Sequence, residues 1–89
     1  MNVTFDLAKD AANVAKHGVA LSEAVSLDWD AAYTWLDNRR DYGEHRMVGL
    51  VPMRERLFYV VFLDRGETRR IVSLRKANGR EVSRYVANN

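Results

Sequence analysis

Arginine and lysine are concentrated in the last quarter of the chain. Residues 65–89 contain seven basic and two acidic residues, whereas residues 1–64 contain seven basic and ten acidic residues. The C-terminal part therefore carries +5 and the rest −3, although the overall charge is only +2. A cationic surface of this kind can hold a polyanion such as a nucleic acid.

Arginine is well suited to binding a phosphodiester, because its planar guanidinium can donate to two phosphate oxygens at once. Strand alternation divides residues 70–76 between two faces. One face carries Ile71, Ser73 and Arg75, and the other carries Arg70, Val72, Leu74 and Lys76. Arg75 is the first candidate catalytic residue. Arg46, on an earlier strand, is the second if strand pairing brings it to the same end of the sheet.

Three residues could transfer protons. Glu81 and Tyr85 lie four residues apart, so they are neighbours on a helix and could supply a carboxylate and a phenol. The alternative is that Glu81 only caps the helix and Tyr85 only packs. His17 titrates near neutral pH and could carry a proton, but it could also serve the dipole at a helix end or simply be exposed.

Further basic residues could bind the backbone of a nucleic acid: Lys16, Arg69, Arg70, Lys76, Arg80 and Arg84. A solvated, solubilising face is the alternative for the four arginines. The combined set suits metal-free cleavage of RNA. That reaction needs a deprotonated 2′-hydroxyl, stabilised charge on the scissile phosphate and a protonated 5′-oxygen.

Other kinds of site are not indicated. The chain has no cysteine, only two histidines, and no HxH or HExxH spacing, so we expect no metal. It lacks GxGxxG, GxxxxGK and a nucleophile elbow, so we expect no nucleotide cofactor and no acyl transfer. Charged residues interrupt the first 19 residues, which predicts a soluble, cytoplasmic protein without a membrane span.

A small α+β domain spanning residues 1–89 must position these side chains. Asp6 caps a helix of about Leu7 to His17 that Gly18 ends. The apolar stripe of this helix comprises Leu7, Ala8, Ala11, Ala12, Val14 and Ala15. A second short helix, from about Glu23 to Leu27, presents Ala24 and Val25 to the core.

Four strands are predicted next, over Ala31 to Asp37, Glu44 to Val51 before Pro52, Arg56 to Asp64, and Thr68 to Arg75. The third is apolar on both faces and should be central, with the fourth as its antiparallel hairpin partner. Trp29, Tyr33 and Trp35 alternate with aspartates. This pattern suggests a poor RNA surface made of core and edge residues, or else a protein interface.

A C-terminal helix follows Asn78, with Glu81 completing a capping box and with Val82, Tyr85 and Val86 as the buried stripe. Residues 87–89 are expected to fray. The predicted architecture is therefore two N-terminal helices, a small antiparallel sheet of about four strands and a C-terminal helix, in two layers.

An ordered set of residues extends over nearly the whole chain: Phe5-Asp6, Lys9, Asn13, Lys16-His17-Gly18, Glu23-Ala24, Gly43-Glu44-x-Arg46, Gly49, Leu57–Leu63, Arg70-Ile71-Val72-Ser73, Arg75-Lys76-Ala77, Glu81 and Tyr85. This set resembles the BrnT toxins, which have a RelE-like fold. The chain departs from the family pattern at Phe5, Leu7 and Met47, where Trp, Pro and Trp are common.

The resemblance implies a ribonuclease toxin of a type II toxin–antitoxin pair. It also implies neutralisation by a BrnA-like antitoxin in a 2:2 heterotetramer, with operator DNA bound only through the antitoxin. Two alternatives remain open on the residues alone. One is a basic nucleic-acid-binding module without catalysis, and the other is a protein-interaction domain that docks an acidic partner.

Overall fold

The computed structural model describes residues 1–88, so the last residue of the segment expected to fray lies outside the described residues. Strand β1 (Asn2–Thr4) and helix α1 (Leu7–His17) are followed by two 3₁₀ segments, Leu21–Ser26 and Trp29–Ala31. The rest comprises β2 (Tyr33–Leu36), β3 (Met47–Met53), β4 (Arg56–Arg65), β5 (Thr68–Lys76) and α2 (Gly79–Ala87). Neither helix of residues 1–88 is long and apolar enough to cross a membrane.

The strands form one mixed sheet in the order β1-β5-β4-β3-β2. The fold is α+β as predicted, but β1 adds a fifth strand that pairs in parallel with β5. Three residues are too few to show an alternating pattern, which is why the sequence did not reveal β1. The second predicted helix is instead a 3₁₀ segment; it buries Ala24, but Val25 is exposed.

Strand β4 lies in the middle of the sheet and pairs antiparallel with β3 and β5, which confirms the prediction of a central strand and a hairpin. The long β4 is buried on both faces because its apolar side chains occupy both faces of the strand. Phe58, Val60 and Phe62 point to one face and Val61 and Leu63 to the other, and all five are buried.

A bulge interrupts the pairing of β5 with β4. Val61 pairs with Ser73, and the next residue, Phe62, pairs with Ile71. Val72 is therefore an extra residue without a partner in the β4 register. A bulge of this kind shifts the alternation of side chains by one residue.

The bulge groups the side chains of β5 differently from strict alternation. Ile71 shares a face with Leu74, and both are fully buried. Arg70 shares the opposite face with Ser73 and Arg75. The predicted faces of Ile71 and Arg70 were therefore wrong, because the prediction assumed uninterrupted alternation.

The main core lies between one face of the sheet and the 3₁₀ segment at residues 21–26. Its buried members are Leu21, Ala24, Leu27, Val51, Met53, Phe58, Val60, Phe62, Ile71 and Leu74. We call this side of the sheet the core face and the other side the α2 face. Burial of these apolar side chains is the main source of stability.

Helix α1 turns its polar side towards the sheet. The Asn13 side chain, which is buried, donates to the carbonyl of Leu74 at 2.8 Å and accepts from the Leu74 N–H at 3.2 Å. Asp10 accepts from the N–H of Leu21 at 2.7 Å. Asn13 therefore hydrogen-bonds the edge of β5 at Leu74, beyond the three residues of β5 that pair with β1.

The apolar stripe of α1 consequently faces solvent. Leu7 is 78% exposed and Val14 is 45% exposed. The stripe's alanines are also exposed. Amphipathic patterning normally identifies the buried side of a helix, but here the hydrogen bonds of Asn13 and Asp10 hold the opposite side against the sheet.

Two further predictions need correction. Strand β3 begins at Met47 rather than Glu44 and continues through Pro52, whose carbonyl accepts from the N–H of Asp28 at 2.8 Å. In α2 the capping box is present, but Val82 and Val86 are exposed. The predicted buried stripe of α2 is therefore wrong for both valines, because this helix lies across a groove rather than on a packed layer, whereas Tyr85 is half-buried.

Candidate functional site

A groove of about 360 Å³ separates α2 from the α2 face of the sheet. It is lined by Trp35, Arg39, Tyr59, Arg80, Glu81 and Arg84. Contacts that hold α2 in this place include the ion pair of Glu81 with Arg75 of β5, and the bond from the Tyr85 hydroxyl to the carbonyl of Ala31 at 2.7 Å. The groove thus combines cationic and aromatic side chains, which suits a single-stranded nucleic acid.

Arg75 lies beside this groove with its guanidinium carbon 4.0 Å from the centroid of the Tyr59 ring. Its Nη1 and Nη2 each donate to the carboxylate of Glu81 at 2.9 Å, and Nη1 also donates to the carbonyl of Lys76 at 3.2 Å. Bonds within residues 1–88 thus use three of the five guanidinium N–H groups. The Nε–H and one Nη2–H remain, and these two can hold one phosphate.

Glu81 has two tasks. Its carboxylate accepts from the backbone N–H of Asn78 at 2.9 Å, which completes the capping box, and it holds Arg75. The hydrogen bonds from Arg75 lower the pKa of Glu81 below its usual value, although burial opposes them. Glu81 is therefore ionised at neutral pH, and its cap role, one of the two predicted alternatives, is confirmed.

An aromatic row extends along the α2 face. The Trp35 ring lies 5.5 Å from Tyr33 and 6.4 Å from Tyr59, measured between centroids. The guanidinium carbon of Arg84 lies 3.9 Å from the centroid of Trp35. Trp29, in contrast, packs edge-on against Phe62 of the core. The core assignment therefore holds for Trp29, whereas Trp35 lines the groove.

Two groove residues, Arg39 and Tyr59, were not identified from the sequence. Asp37 accepts two bonds of 2.8 Å from Arg39, and these bonds lower the pKa of the buried Asp37 carboxyl to about 2. Burial raises the pKa of Tyr59, so its phenol stays protonated at neutral pH. Tyr59 lies within an apolar strand and Arg39 within a loop, so no local pattern distinguished them.

A second, smaller depression of about 200 Å³ lies between α1 and the outer edge of β5. It is lined by Lys9, Ala12, Asn13, Lys16, His17, Val72 and Ser73. Burial, together with the charges of Lys16 and Arg75, lowers the pKa of His17 below its usual value. His17 is therefore mainly neutral at pH 7 and can accept a proton.

Arg46 does not line the groove. It precedes β3, donates to Glu44 at 2.9 Å and lies over the ring of Tyr42 at 4.2 Å. The condition set for Arg46 is not met, because its neighbour Met47 pairs with Phe62, whereas Arg75 pairs with Tyr59, three residues away along β4.

The remaining predicted phosphate ligands are dispersed. Arg69 lies on the core face, bound to Asp64, and Arg70 lies 3.9 Å from Asp6. Lys76 lines a separate depression beside the turn between β3 and β4. The fold therefore brings together Arg75, Glu81, Arg80 and Arg84, and it brings Lys16 and His17 together at the second depression. No group of three or more potential metal ligands occurs within residues 1–88.

Comparison with known proteins identifies a family. The family model described as the ribonuclease toxin BrnT of type II toxin–antitoxin systems matches residues 5–81. The fold resembles the crystal structure of the ribonuclease toxin BrnT from Brucella abortus, with a TM-score of 0.70 and 22% sequence identity over 88% of this chain and 97% of that chain. No curated protein matches the sequence.

Proposed function

The chain belongs to the BrnT family of ribonuclease toxins, and we propose that it cuts RNA in the groove between α2 and the sheet without a metal ion. One observation carries this proposal. Arg75 is oriented by Glu81 and Tyr59 while its Nε–H and one Nη2–H have no hydrogen-bond partner among residues 1–88. An oriented guanidinium with a vacant pair of donors suits a phosphodiester.

In this mechanism the scissile phosphate accepts from the vacant N–H pair of Arg75. Negative charge grows on the phosphate oxygens in the transition state, and a fixed guanidinium stabilises it without reorganising. Glu81 keeps the guanidinium oriented throughout. Arg80 and Arg84 hold neighbouring phosphates, and bases stack on Trp35.

The 2′-oxygen attacks phosphorus and the bond from phosphorus to the 5′-oxygen breaks, which leaves a 2′,3′-cyclic phosphate and a 5′-hydroxyl. We propose that His17 takes the proton of the 2′-hydroxyl, because its lowered pKa keeps it neutral at pH 7. Tyr59 stays protonated and can donate to the departing oxygen. Tyr85 positions α2 through its bond to Ala31.

The family is named for toxin–antitoxin pairs, which implies an antitoxin partner. We propose that the partner is a BrnA-like antitoxin, that the two proteins form a 2:2 assembly, and that operator DNA is bound through the antitoxin. We also propose that the chain acts in the cytoplasm as one RelE-like domain. The exposed apolar residues of both helices, such as Leu7 and Val86, support a protein partner because they leave surface that such a partner can cover.

The test is cleavage of a 5′-labelled RNA by the purified chain in EDTA, with mapped product ends. We expect 2′,3′-cyclic phosphate ends from the wild type and from the control Lys76→Ala, but intact RNA with Arg75→Ala that folds normally by circular dichroism. Intact RNA with the wild type, with or without ribosomes, would contradict the proposal. Salt-sensitive binding without scission would indicate a binding module, and no binding would indicate a protein-interaction domain.

A further inference from the structure

We infer that the depression between α1 and β5 is a second phosphate subsite, which binds the backbone of the same RNA next to the phosphate held by Arg75. The inference rests on the proposed function and extends the RNA contact from the groove to the opposite side of Arg75. Its ligand is a phosphate of the RNA backbone, held by Lys9 and Lys16 beside His17.

The charge of the depression favours an anion. Its lining residues include two lysines and a histidine but no carboxylate. Neither Lys9 nor Lys16 is within ion-pair distance of a carboxylate in residues 1–88. Asp6 and Glu44 lie within electrostatic range of Lys9, but Asp6 accepts the first N–H groups of α1 and Glu44 accepts from Arg46.

The depression is rigidly positioned relative to Arg75. Asn13 hydrogen-bonds both the N–H and the carbonyl of Leu74, and it also donates to the carbonyl of Val19 at 2.8 Å. Lys9 and Lys16 lie one turn before and one turn after Asn13, so both flank the point where α1 meets β5. The backbone that carries the two lysines is therefore already fixed relative to β5 before RNA binds.

The depression also continues into the Arg75 site. Ser73 lines it and lies on the α2 face, two residues before Arg75. Two residues of extended strand span roughly 7 Å. The charge of Arg75 acts on His17, so the two sites lie within electrostatic range of each other. An RNA chain bound at Arg75 can therefore also reach Lys9 and Lys16.

The experiment compares binding of uncleavable 2′-O-methyl oligonucleotides of 2 and 12 nucleotides, in mixed sequence, to the full chain. The variant is Lys9→Gln with Lys16→Gln. The control is Arg54→Gln with Lys76→Gln, which removes the same charge from the depression beside the turn between β3 and β4. We expect the Kd of the 12-mer to rise about tenfold in the variant and about twofold or less in the control.

Length dependence makes the result specific. The dinucleotide has one phosphodiester and cannot occupy both sites, so we expect it to bind the variant almost as well as the wild type. The salt slope for the 12-mer should fall by about 0.7 as one neutralised phosphate is lost. An unchanged 12-mer Kd would overturn the inference, as would an equal loss for both lengths or for the control. If the wild type cleaves RNA and Arg75→Ala does not, those outcomes remove the subsite alone. A wild type that binds neither oligonucleotide removes the proposed function as well.

Discussion

Arg69 and Arg75 lie on the same strand and make the same two kinds of contact, yet their surroundings differ. Arg69 donates through Nε and Nη2 to Asp64, at 2.6 and 2.8 Å. Arg75 donates through Nη1 and Nη2 to Glu81, at 2.9 Å each. Both guanidinium groups also lie over an aromatic ring.

The rings show where the two arginines differ. Arg69 lies over Phe62, which is buried in the core, whereas Arg75 lies over Tyr59, which lines the groove. In Arg69 the Nε–H and one Nη2–H donate to the Asp64 carboxylate. In Arg75 the same two N–H groups have no hydrogen-bond partner within residues 1–88. The face of the strand and the choice of N–H pair, rather than the residue type, therefore distinguish a structural arginine from a candidate catalytic one.

The largest expected effect is that of Arg75→Ala on catalysis. Loss of a fixed donor to the transition-state phosphate should slow cleavage by about 10²- to 10³-fold. Single-turnover cleavage rates of the wild type and the variant measure this. Arg75→Lys keeps the charge without the planar fork, so it should recover only part of the rate. Full activity of Arg75→Ala would abolish the distinction from Arg69.

Trp35→Ala should weaken RNA binding more than it weakens the fold. Stacking of one base on an aromatic ring contributes about 1–3 kcal/mol, so the Kd for single-stranded RNA should rise by roughly 5- to 150-fold. Fluorescence anisotropy with 2′-O-methyl RNA measures this change. An unchanged Kd would mean that the aromatic row does not contact bases.

Arg69→Ala should affect stability instead of catalysis. Loss of its partly exposed ion pair and its ring contacts should lower the free energy of unfolding by about 1–2 kcal/mol. Urea denaturation gives this value. Cleavage by the folded variant should stay within about threefold of wild type, since Arg69 lies on the core face; a loss comparable to that of Arg75→Ala would show that both arginines act on RNA.

Asp37 should make stability depend on pH in acid. Its pKa in the folded protein is about 2, below the ordinary value, so its ion pair with Arg39 stabilises the fold above pH 4. This stabilisation is lost as the pH falls from about 4 towards 2. Because Arg39 is largely exposed, the loss should be about 1–2 kcal/mol. Asp37→Asn should remove this part of the acid dependence in denaturation curves measured between pH 2 and 5.

The smallest expected effect belongs to Tyr85→Phe. Loss of the hydroxyl bond to the carbonyl of Ala31 should cost about 1 kcal/mol of stability. The cleavage rate of the folded variant should change by no more than about threefold, because we place proton transfer on His17 rather than Tyr85. A loss of 100-fold or more would restore Tyr85 as a catalytic residue.

The sequence predicted those features that short patterns determine. The apolar run of β4 indicated a central strand, and the spacing of Asn78 and Glu81 indicated the capping box. It did not predict the bulge at Val72, because the flanking apolar residues suit either phase of alternation. Nor could it predict the orientation of α1, which the bonds of Asn13 decide against the hydrophobic pattern.

The candidate site was partly predictable for the same reason. Arg75 and Glu81 were identified by residue type and position, although their ion pair was not. The groove around them depends on how α2 crosses the sheet, which brings Tyr59 and Arg39 beside Arg84. Contacts between residues so distant in sequence leave no mark in a local pattern.

The Asn13 carboxamide gives Leu74 one donor and one acceptor, as a peptide group of a neighbouring strand would. The side chain thus satisfies the backbone of β5 at this edge of the sheet. Unprotected margins of β-sheets recruit extended segments of other molecules. The substitution Asn13→Leu would match the apolar residues of α1, but it would leave the N–H and carbonyl of Leu74 without their amide partner. The mutant chain would then have an unpaired β5 edge at Leu74, and we expect it to self-associate there by strand addition.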